Sequence, residues 1–592
     1  MDQADQKILD QLNQQTPHER ECGVCHNKWP IEQADLEFFK KLIVPVPTVC
    51  PECSMRRKMA WRNERKLYKR KCDVTGKEII SIYSPDKPYK VYDKDYWYSD
   101  NWDPLDYGQE YDPDRSFFDQ YHDLLHKVPL VSLNSVNNEN SEYLNHGSGN
   151  KNCYLISVAT NNEDCYFGRY LTDCRECVDC MELQKCEGCY ETGMGGGNYN
   201  CIYLWGATGC SDCHFSIKLD NCQNCILCTN LRNKQYYIRN EQVSKEEFEE
   251  FKKNWQWEQM KQEFLRLKDN IIVRFGFFGG SEDCSGDLVF GSKNCTHCFA
   301  VNASEGCRYC YDAPMSLKDS YDCHTCGFDS SLLYNCLGTI TGYNLKCSFL
   351  SGFNGKFVEY SLVCMGCEYV FGSVSLRNKK YCILNKQYSK EDYEELVAQI
   401  KLDMINRGEY GQFFPSFLSP FGYNETLASE NMPMSKEMAI AQGYKWSDYD
   451  PESGYNGPWY KPQDTGVYVD VNKANDLLNG VLRCEVTGKP YRITSPELAF
   501  YIKYHIPIPR RSPDQRHVER MSYKNPYRLW KRQCMCEGQG SSGKDQVSSI
   551  KDQGLSGECT HGGRCNNMFE TTYAPDRPEK VYCADCYQKS LL

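Results

Sequence analysis

Cys153, Cys165, Cys177, Cys189, Cys201, Cys213 and Cys225 recur at every twelfth residue, and Tyr237 takes the next place in the series. A unit of twelve residues cannot bury a core of its own, so a repeat of this length must stack each coil of chain on the last. The residue after each ladder cysteine is mostly a strand former (Tyr154, Tyr166, Val178, Tyr190, Ile202). Eight residues after it stand Asn161, Asp173, Lys185, Gly197, Gly209, Asn221 and Asn233, mostly turn formers. The pattern predicts a β-solenoid with rungs about 4.8 Å apart and equivalent cysteines in an inward column.

A second array follows. Cys298, Cys310 and Cys382 fit the same twelve-residue frame, and Leu376-Arg377-Asn378-Lys379 repeats Leu231-Arg232-Asn233-Lys234. The fold class this predicts is mainly β: a cysteine-rich β-solenoid in two duplicated halves, flanked by zinc modules and accompanied by short α-helices. Ser244–Asp269 and Ser389–Arg407 read as amphipathic helices closing the arrays, opened by Ser244-x2-Glu247 and Ser389-x2-Asp392.

Cysteine is the compositional outlier, with 37 copies in 592 residues. The polar start, Met1-Asp2-Gln3-Ala4-Asp5, carries no apolar signal region, and no run of about 18 apolar residues occurs anywhere. The expectation is a cytoplasmic chain without a membrane partner, in whose reducing surroundings paired cysteines serve as metal ligands or packed thiols rather than disulfides. Further cysteines lie three residues before the ladder positions. They give the neighbouring pairs Cys174/Cys177 with Cys186/Cys189, Cys210/Cys213 with Cys222/Cys225, and Cys295/Cys298 with Cys307/Cys310. Each set of four is a candidate thiolate cage, set against the plainer reading of small apolar thiols filling the coil.

The two ends are copies of one module. Residues 22–72 align without a gap on 484–534, matching Cys22 to Cys484, Pro45 to Pro507, Pro47 to Pro509, Asn63 to Asn525, Arg70 to Arg532 and Cys72 to Cys534. Tyr83–Tyr92 then aligns on Tyr573–Tyr582, the later copy carrying an extra Gly/Ser/Gln-rich stretch, 537–558, expected to be a flexible loop. In the first copy Cys22, Cys25, Cys50 and Cys53 form two Cys-x2-Cys knuckles, a four-thiolate set whose tetrahedral geometry suits zinc. In the second copy those positions hold Cys484, Thr487, Ser512 and Gln515, and the site is lost. The second copy instead offers Cys583 and Cys586 with Cys565 and a fourth thiol, Cys559, with Cys536 and Cys534 as alternatives.

Cys565-x3-Phe569, Thr572-Tyr573-Ala574-Pro575-Asp576-Arg577-Pro578 and Val581-Tyr582-Cys583-x2-Cys586-Tyr587 resemble the bacterial family called "probable zinc ribbon". The whole arrangement is similar to large uncharacterised bacterial proteins carrying this ribbon after a repetitive middle. The resemblance implies zinc but no reaction.

The knuckle at Cys50 runs into Ser54–Lys71, which reads as a helix in the treble-clef order of knuckle, hairpin and helix. It carries Arg56, Arg57, Arg62, Arg65, Lys66, Lys69 and Arg70 with Trp61 and Tyr68 interleaved. This is a candidate nucleic-acid footprint, since guanidinium forks fit phosphates and aromatic rings stack on bases. The alternative is an internal match to the acidic stretch Asp93–Asp114. A net charge of −11 gives no global attraction to polyanions, so any such site is a local patch.

No phosphate loop, His-Glu-x2-His, nucleophile elbow or paired-acid motif occurs, and His26 stands alone beside the first knuckle. No small-molecule substrate is evident. The sequence divides into a zinc module with basic helix (1–115), array 1 (116–243), a helix (244–275), array 2 (276–388), a helix (389–407), a connector (408–483) and the C-terminal module (484–592). The function this points to is a zinc-binding, non-enzymatic interaction scaffold with a nucleic-acid or protein partner. The competing reading is an enzyme, either a zinc nuclease or a thiol redox protein, including an iron–sulfur role for Cys174-x2-Cys177-x2-Cys180 and Cys222-x2-Cys225-x2-Cys228.

Overall fold

The computed structural model of the chain describes residues 3–450, 454–537 and 563–591. It divides into two compact units, each built from two separate stretches: Met1–Leu133 with Gly276–Tyr449, and Asn134–Phe275 with Asp450–Leu592. The N-terminal module thus packs with the second array, and the C-terminal module with the first. The connector is shared between the units. Within the first, Phe414 lies 4.8 Å from Trp61 ring to ring, and Glu425 accepts a 2.7 Å hydrogen bond from the Tyr68 hydroxyl.

The solenoid is present. In the second unit a 13-stranded sheet runs in parallel rungs whose register pairs Arg175 with Glu187 and Cys177 with Cys189. The coil is finer than one turn signal per repeat implied. Every third residue is left-handed: Asn152, Leu155, Val158, Asn161 and Asp164 all have φ between 50° and 55°. Each coil therefore has four corners. The residue after each corner points inward, so Cys153, Ile156, Ala159, Asn162 and Cys165 are all buried.

A left-handed conformation costs a non-glycine residue about 1–2 kcal/mol. Bonding between rungs offsets this: the corner N–H of Phe167 donates to Tyr154 O at 3.0 Å, while Tyr154 N–H donates to Cys165 O at 3.1 Å. Four tight corners leave a narrow interior, which explains why the buried inner positions hold small and aliphatic residues, Cys, Ala, Ser, Thr, Gly, Asn, Val, Ile and Leu, and no aromatic ring. The thiols also donate weakly to carbonyls, as from Cys177 Sγ to Arg175 O at 3.4 Å. The fit is close enough to test at Gly195, where an added Cβ would lie 1.9 Å from Ala207 O. We expect Gly195→Ala to destabilise the second unit by about 2–4 kcal/mol, read by thermal unfolding.

The second array shows where a fixed period misleads. Leu317 pairs with Ser330 and Gly342 with Gly355, so some of its coils hold one residue more than twelve. Cys382 consequently stacks on Val370 and Val358, in the column of Cys295 and Cys307, not in that of Cys298 and Cys310. The extra residues are absorbed at corners such as Phe328-Asp329 and Phe353-Asn354, where two left-handed residues follow each other.

Both closing helices form, with caps where the sequence placed them. Ser244 makes a full capping box with Glu247, and Ser389 accepts from Asp392 N–H. The first is two helices, Lys245–Asn254 and Trp257–Asn270, broken at Trp255-Gln256, and the second is Lys390–Asn406. The terminal rungs are closed by a returning antiparallel strand in each array, Glu241–Gln242 and Lys386–Gln387, before the helices begin. The Trp257–Asn270 helix lies along the solenoid face, with Phe264 against Tyr203 at 5.6 Å.

Candidate metal centres

The first centre is assembled by a hairpin and a helix start. The antiparallel pair His18–Glu21 and Lys28–Ile31 turns through Cys22 and Cys25. Cys50 is the N-cap of the helix Pro51–Met59, with proline in the first turn, and Cys53 sits in that turn. The ligand atoms of all four lie within 4.8 Å of one another, Cys25 Sγ to Cys50 Sγ being 3.8 Å. A tetrahedron of thiolates about 2.3 Å from a metal has edges of about 3.8 Å, so the donor set fits a tetrahedral ion. Backbone amides already serve the sulfurs: Cys22 Sγ accepts from Val24 N–H at 3.5 Å and Cys50 N–H at 3.3 Å. A hydrogen bond from the Cys53 thiol, with further ones from backbone and neighbouring thiols, lowers Cys50 to about 5. The donating partner Cys53 is pushed up.

The second centre repeats the plan. The hairpin Trp530–Gln533 with Met568–Thr571 carries Cys534 and Cys565 beyond its strands. Cys583 caps the helix Ala584–Ser590, and Cys586 follows in its first turn. Cys534, Cys565, Cys583 and Cys586 are all buried and lie within 4.8 Å of one another. Cys583 N–H donates to Cys534 Sγ at 3.2 Å, and Asn567 Nδ2 donates to Cys583 Sγ at 3.4 Å. Burial opposes ionisation of Cys583, but the Asn567 bond, with others from the Cys586 backbone and from the Cys586 and Cys534 thiols, outweighs it and brings the thiol to about 7. Burial raises Cys534 to about 11.

The fourth thiol is thus Cys534. Cys559, preferred from spacing, lies outside the described residues, as does most of the 537–558 stretch. Cys536 is close by, its carbonyl accepting from Cys565 N–H at 2.8 Å, but its sulfur is not in the set.

The same knuckle occurs two further times. Cys72 follows the strand Tyr68–Lys71, accepts from Asp93 N–H at 3.2 Å, and faces the helix Lys94–Tyr98 capped by Asp93. Cys484 follows Leu482–Arg483, next to the helix Pro513–Met521 capped by Ser512. The turns agree residue for residue: Cys72 N–H donates to Lys77 O and Gly76 N–H to Cys72 O, as Cys484 N–H does to Lys489 O and Gly488 N–H to Cys484 O. Each end module therefore holds two such sites, of which one has four thiols. The missing ligands are Thr75, Asp93 and Tyr96 in the first module and Thr487, Ser512 and Gln515 in the second. Hydrogen bonds serve the lone thiol there; against burial, the Thr487 hydroxyl and the backbone of Ser512, Thr487 and Val486 bring Cys484 to about 7.

The ladder cysteines proposed as cages, Cys174, Cys177, Cys186, Cys189, Cys210, Cys213, Cys222, Cys225, Cys295, Cys298, Cys307 and Cys310, are all buried inside their coils. Among the described residues, only the two end sets bring three or more ligand atoms within 4.8 Å of one another. The ladder thiols instead meet edge to edge, Cys177 contacting Cys165, Cys174, Cys180 and Cys189. In-register stacking, as of Cys177 on Cys189, keeps these thiols in parallel columns.

The helix expected to carry the nucleic-acid footprint is shorter than the sequence predicts. It ends at Met59, and Tyr68–Lys71 is a strand, because Trp61, Arg62, Asn63 and Glu64 turn inward and are buried. Arg62 pairs with Glu64 at 2.6 Å and Arg70 with Asp73 at 2.9 Å, and Arg56 lies 3.7 Å from Glu52. Arg57 and Arg65 are half-buried, and only Lys66 and Lys69 of the proposed set are exposed. Within the acidic stretch, Asp93, Asp103 and Glu110 pair with Lys77, Lys379 and Lys386.

The helix docks on the solenoid instead. Lys58 lies 2.5 Å from Asp322, a left-handed corner residue, and donates to Asn335 on the next rung, while Ser54 also bonds Asp322. The second module uses the equivalent positions: Arg516 meets corner Asp179 at 2.6 Å, and Arg520 meets Asp179 and Glu191 at 3.0 Å. His26, the histidine beside the first knuckle, is an exposed partner of Glu21 at 3.1 Å. No described helix is long and apolar enough to cross a membrane.

No protein-family model matches this chain, and no curated protein does. Among solved structures, one described as a "putative acetyltransferase" from Desulfovibrio desulfuricans G20 matches at 10% sequence identity, over 43% of this chain and 71% of that chain. Its TM-score is 0.09, and the likeness carries no argument.

Proposed function

We propose that this chain is a zinc-binding, non-enzymatic scaffold, each end module organised around one structural zinc ion and each solenoid array offering a rigid face to a protein partner. The observation that carries the reading is the pair of closed four-cysteine sets, one in each unit. Four thiolates in tetrahedral reach favour zinc and leave no open coordination position for a substrate, which speaks for a structural ion. The same chemistry agrees with the "probable zinc ribbon" resemblance of the last residues. With Arg56, Lys58, Arg62 and Arg70 of the first module engaged in ion pairs and docking, a protein partner is favoured over nucleic acid.

Elemental analysis of purified, tag-free protein tests this. Two zinc ions per chain and no iron are expected. Substantial iron, or a content below one zinc per chain after purification without chelator, would overturn it.

A further inference from the structure

Met315, Phe328, Ile340, Phe353 and Met365 follow one another on successive coils of the second array. Phe328 N–H donates to Met315 O and Phe353 N–H to Ile340 O, both at 2.6 Å, while Gly327 pairs with Ile340 and Gly366 N–H donates to Gly352 O at 3.1 Å. Phe328 and Phe353 belong to the doubled corners, where the extra residue is absorbed. The stripe faces solvent: Met315 is 50% exposed, Phe328 43%, Ile340 37% and Phe353 44%. Apolar side chains standing out on adjacent coils make a contiguous patch, and such patches mark contact surfaces.

The order of the stripe, Met-Phe-Ile-Phe-Met, is the same from either end. Three residues after each member, across one corner, runs a second outward column, from Lys318 through Tyr343 to Glu368, continued by Glu305 on one side and Lys380 on the other. In a two-fold dimer one patch serves both subunits and must complement itself. Let a second copy lie antiparallel, with the axis over Ile340–Tyr343. Its Ile340 and Tyr343 then meet their own counterparts, Phe353 meets Phe328 and Met365 meets Met315. In the charged column Glu368 meets Lys318 and Lys380 meets Glu305, and the symmetry makes each pair twice. Sliding the second copy by one rung either way sets Lys318 against a lysine, Lys356 or Lys380. Within one chain these side chains are held along the column by exposed pairs, Lys318 with Glu305 at 3.4 Å and Lys380 with Glu368 at 2.6 Å. Exposed pairs are weak and cost little to exchange.

We propose that this stripe is the interface of a homodimer, in which two second arrays pack antiparallel about that axis, with an apolar centre and the charged column as its rim. The inference rests on the scaffold reading and specifies its protein partner for the second array.

Sedimentation equilibrium of the full-length protein should give twice the 68.7 kDa of one chain at micromolar concentration. Ile340→Lys brings two cations together on the axis and should give a monomer. Lys318→Glu should weaken the dimer about tenfold or more, and adding Glu368→Lys should restore it. These side chains point outward, so the variants should melt as the wild type does and keep its metal content. Should Ile340→Lys fail to fold, the charge exchange alone decides. A wild-type monomer, which would leave the stripe to an unlike protein, a dimer indifferent to Ile340→Lys, or no rescue by Glu368→Lys would each overturn the interface. Metal content measured in parallel separates this from the zinc reading: a wild-type monomer with both four-cysteine sets filled would overturn the interface and leave that reading standing.

Discussion

Replacing Cys53 or Cys583 by serine is expected to remove one metal ion per chain and to unfold the module that held it, leaving the other metal in place. The two sets belong to different compact units. The effect should be large because metal binding in such small modules is folding free energy, about 10–16 kcal/mol for structural zinc in isolated finger peptides. Limited proteolysis should then cut near residues 18–59 in C53S and near 530–591 in C583S, with elemental analysis giving half the wild-type metal. Cys72→Ser and Cys484→Ser are the decisive controls. Their knuckles have the same turn and helix start but only one thiol each, so both variants should keep the full metal content. A metal loss in either would mean that the four-thiol sets have been drawn in the wrong place.

Asp179→Ala should be the most damaging single change away from the metal sets. Asp179 is wholly buried between Arg516 and Arg520, which themselves are nearly inaccessible. Removing it leaves two guanidinium groups short of counter-charge, and breaking a buried pair in this way costs about 3–5 kcal/mol. The C-terminal module should lose its hold on the array, seen as a lower melting temperature and faster proteolysis after residue 454. Replacing Asp179, Arg516 and Arg520 together by apolar residues of similar volume should recover most of the loss, since apolar replacement of a whole buried network is often neutral. If Asp179→Ala melts like the wild type, the docking account fails. The corresponding contact in the first unit, Lys58 with Asp322, has one cation where the second has two, and Asp322→Ala should cost less.

Much of this was open to reading in the chain itself. The repeat of twelve specified the coil, because no other architecture closes on so short a period while keeping one residue type inside. The aligned ends gave the first four-thiol set outright and three members of the second. Cys534 could have been chosen over Cys559 on the same alignment, since it stands opposite Cys72, just as Cys484 stands opposite Cys22. The turns Cys72-Asp-Val-Thr-Gly-Lys77 and Cys484-Glu-Val-Thr-Gly-Lys489 likewise carry the signal of four knuckles rather than two.

Other features were not in the sequence in any usable form. A run of arginines and lysines looks the same whether it faces solvent or a buried aspartate. Only the fold puts Lys58 beside Asp322, whose partner in the chain is remote. The drift of the second array is invisible to a fixed period, because single extra residues at the corners move Cys382 to another column without changing its neighbours. Pairs of Cys-x2-Cys on successive coils suggest a cage, but among the described residues their sulfurs do not gather within 4.8 Å as those of the end sets do. Local pattern and covalent spacing determined the coil, the caps and the ligand types. Which charges are buried, which column a thiol joins and which module meets which array were decided by tertiary packing, since each depends on contacts between residues that no local pattern connects.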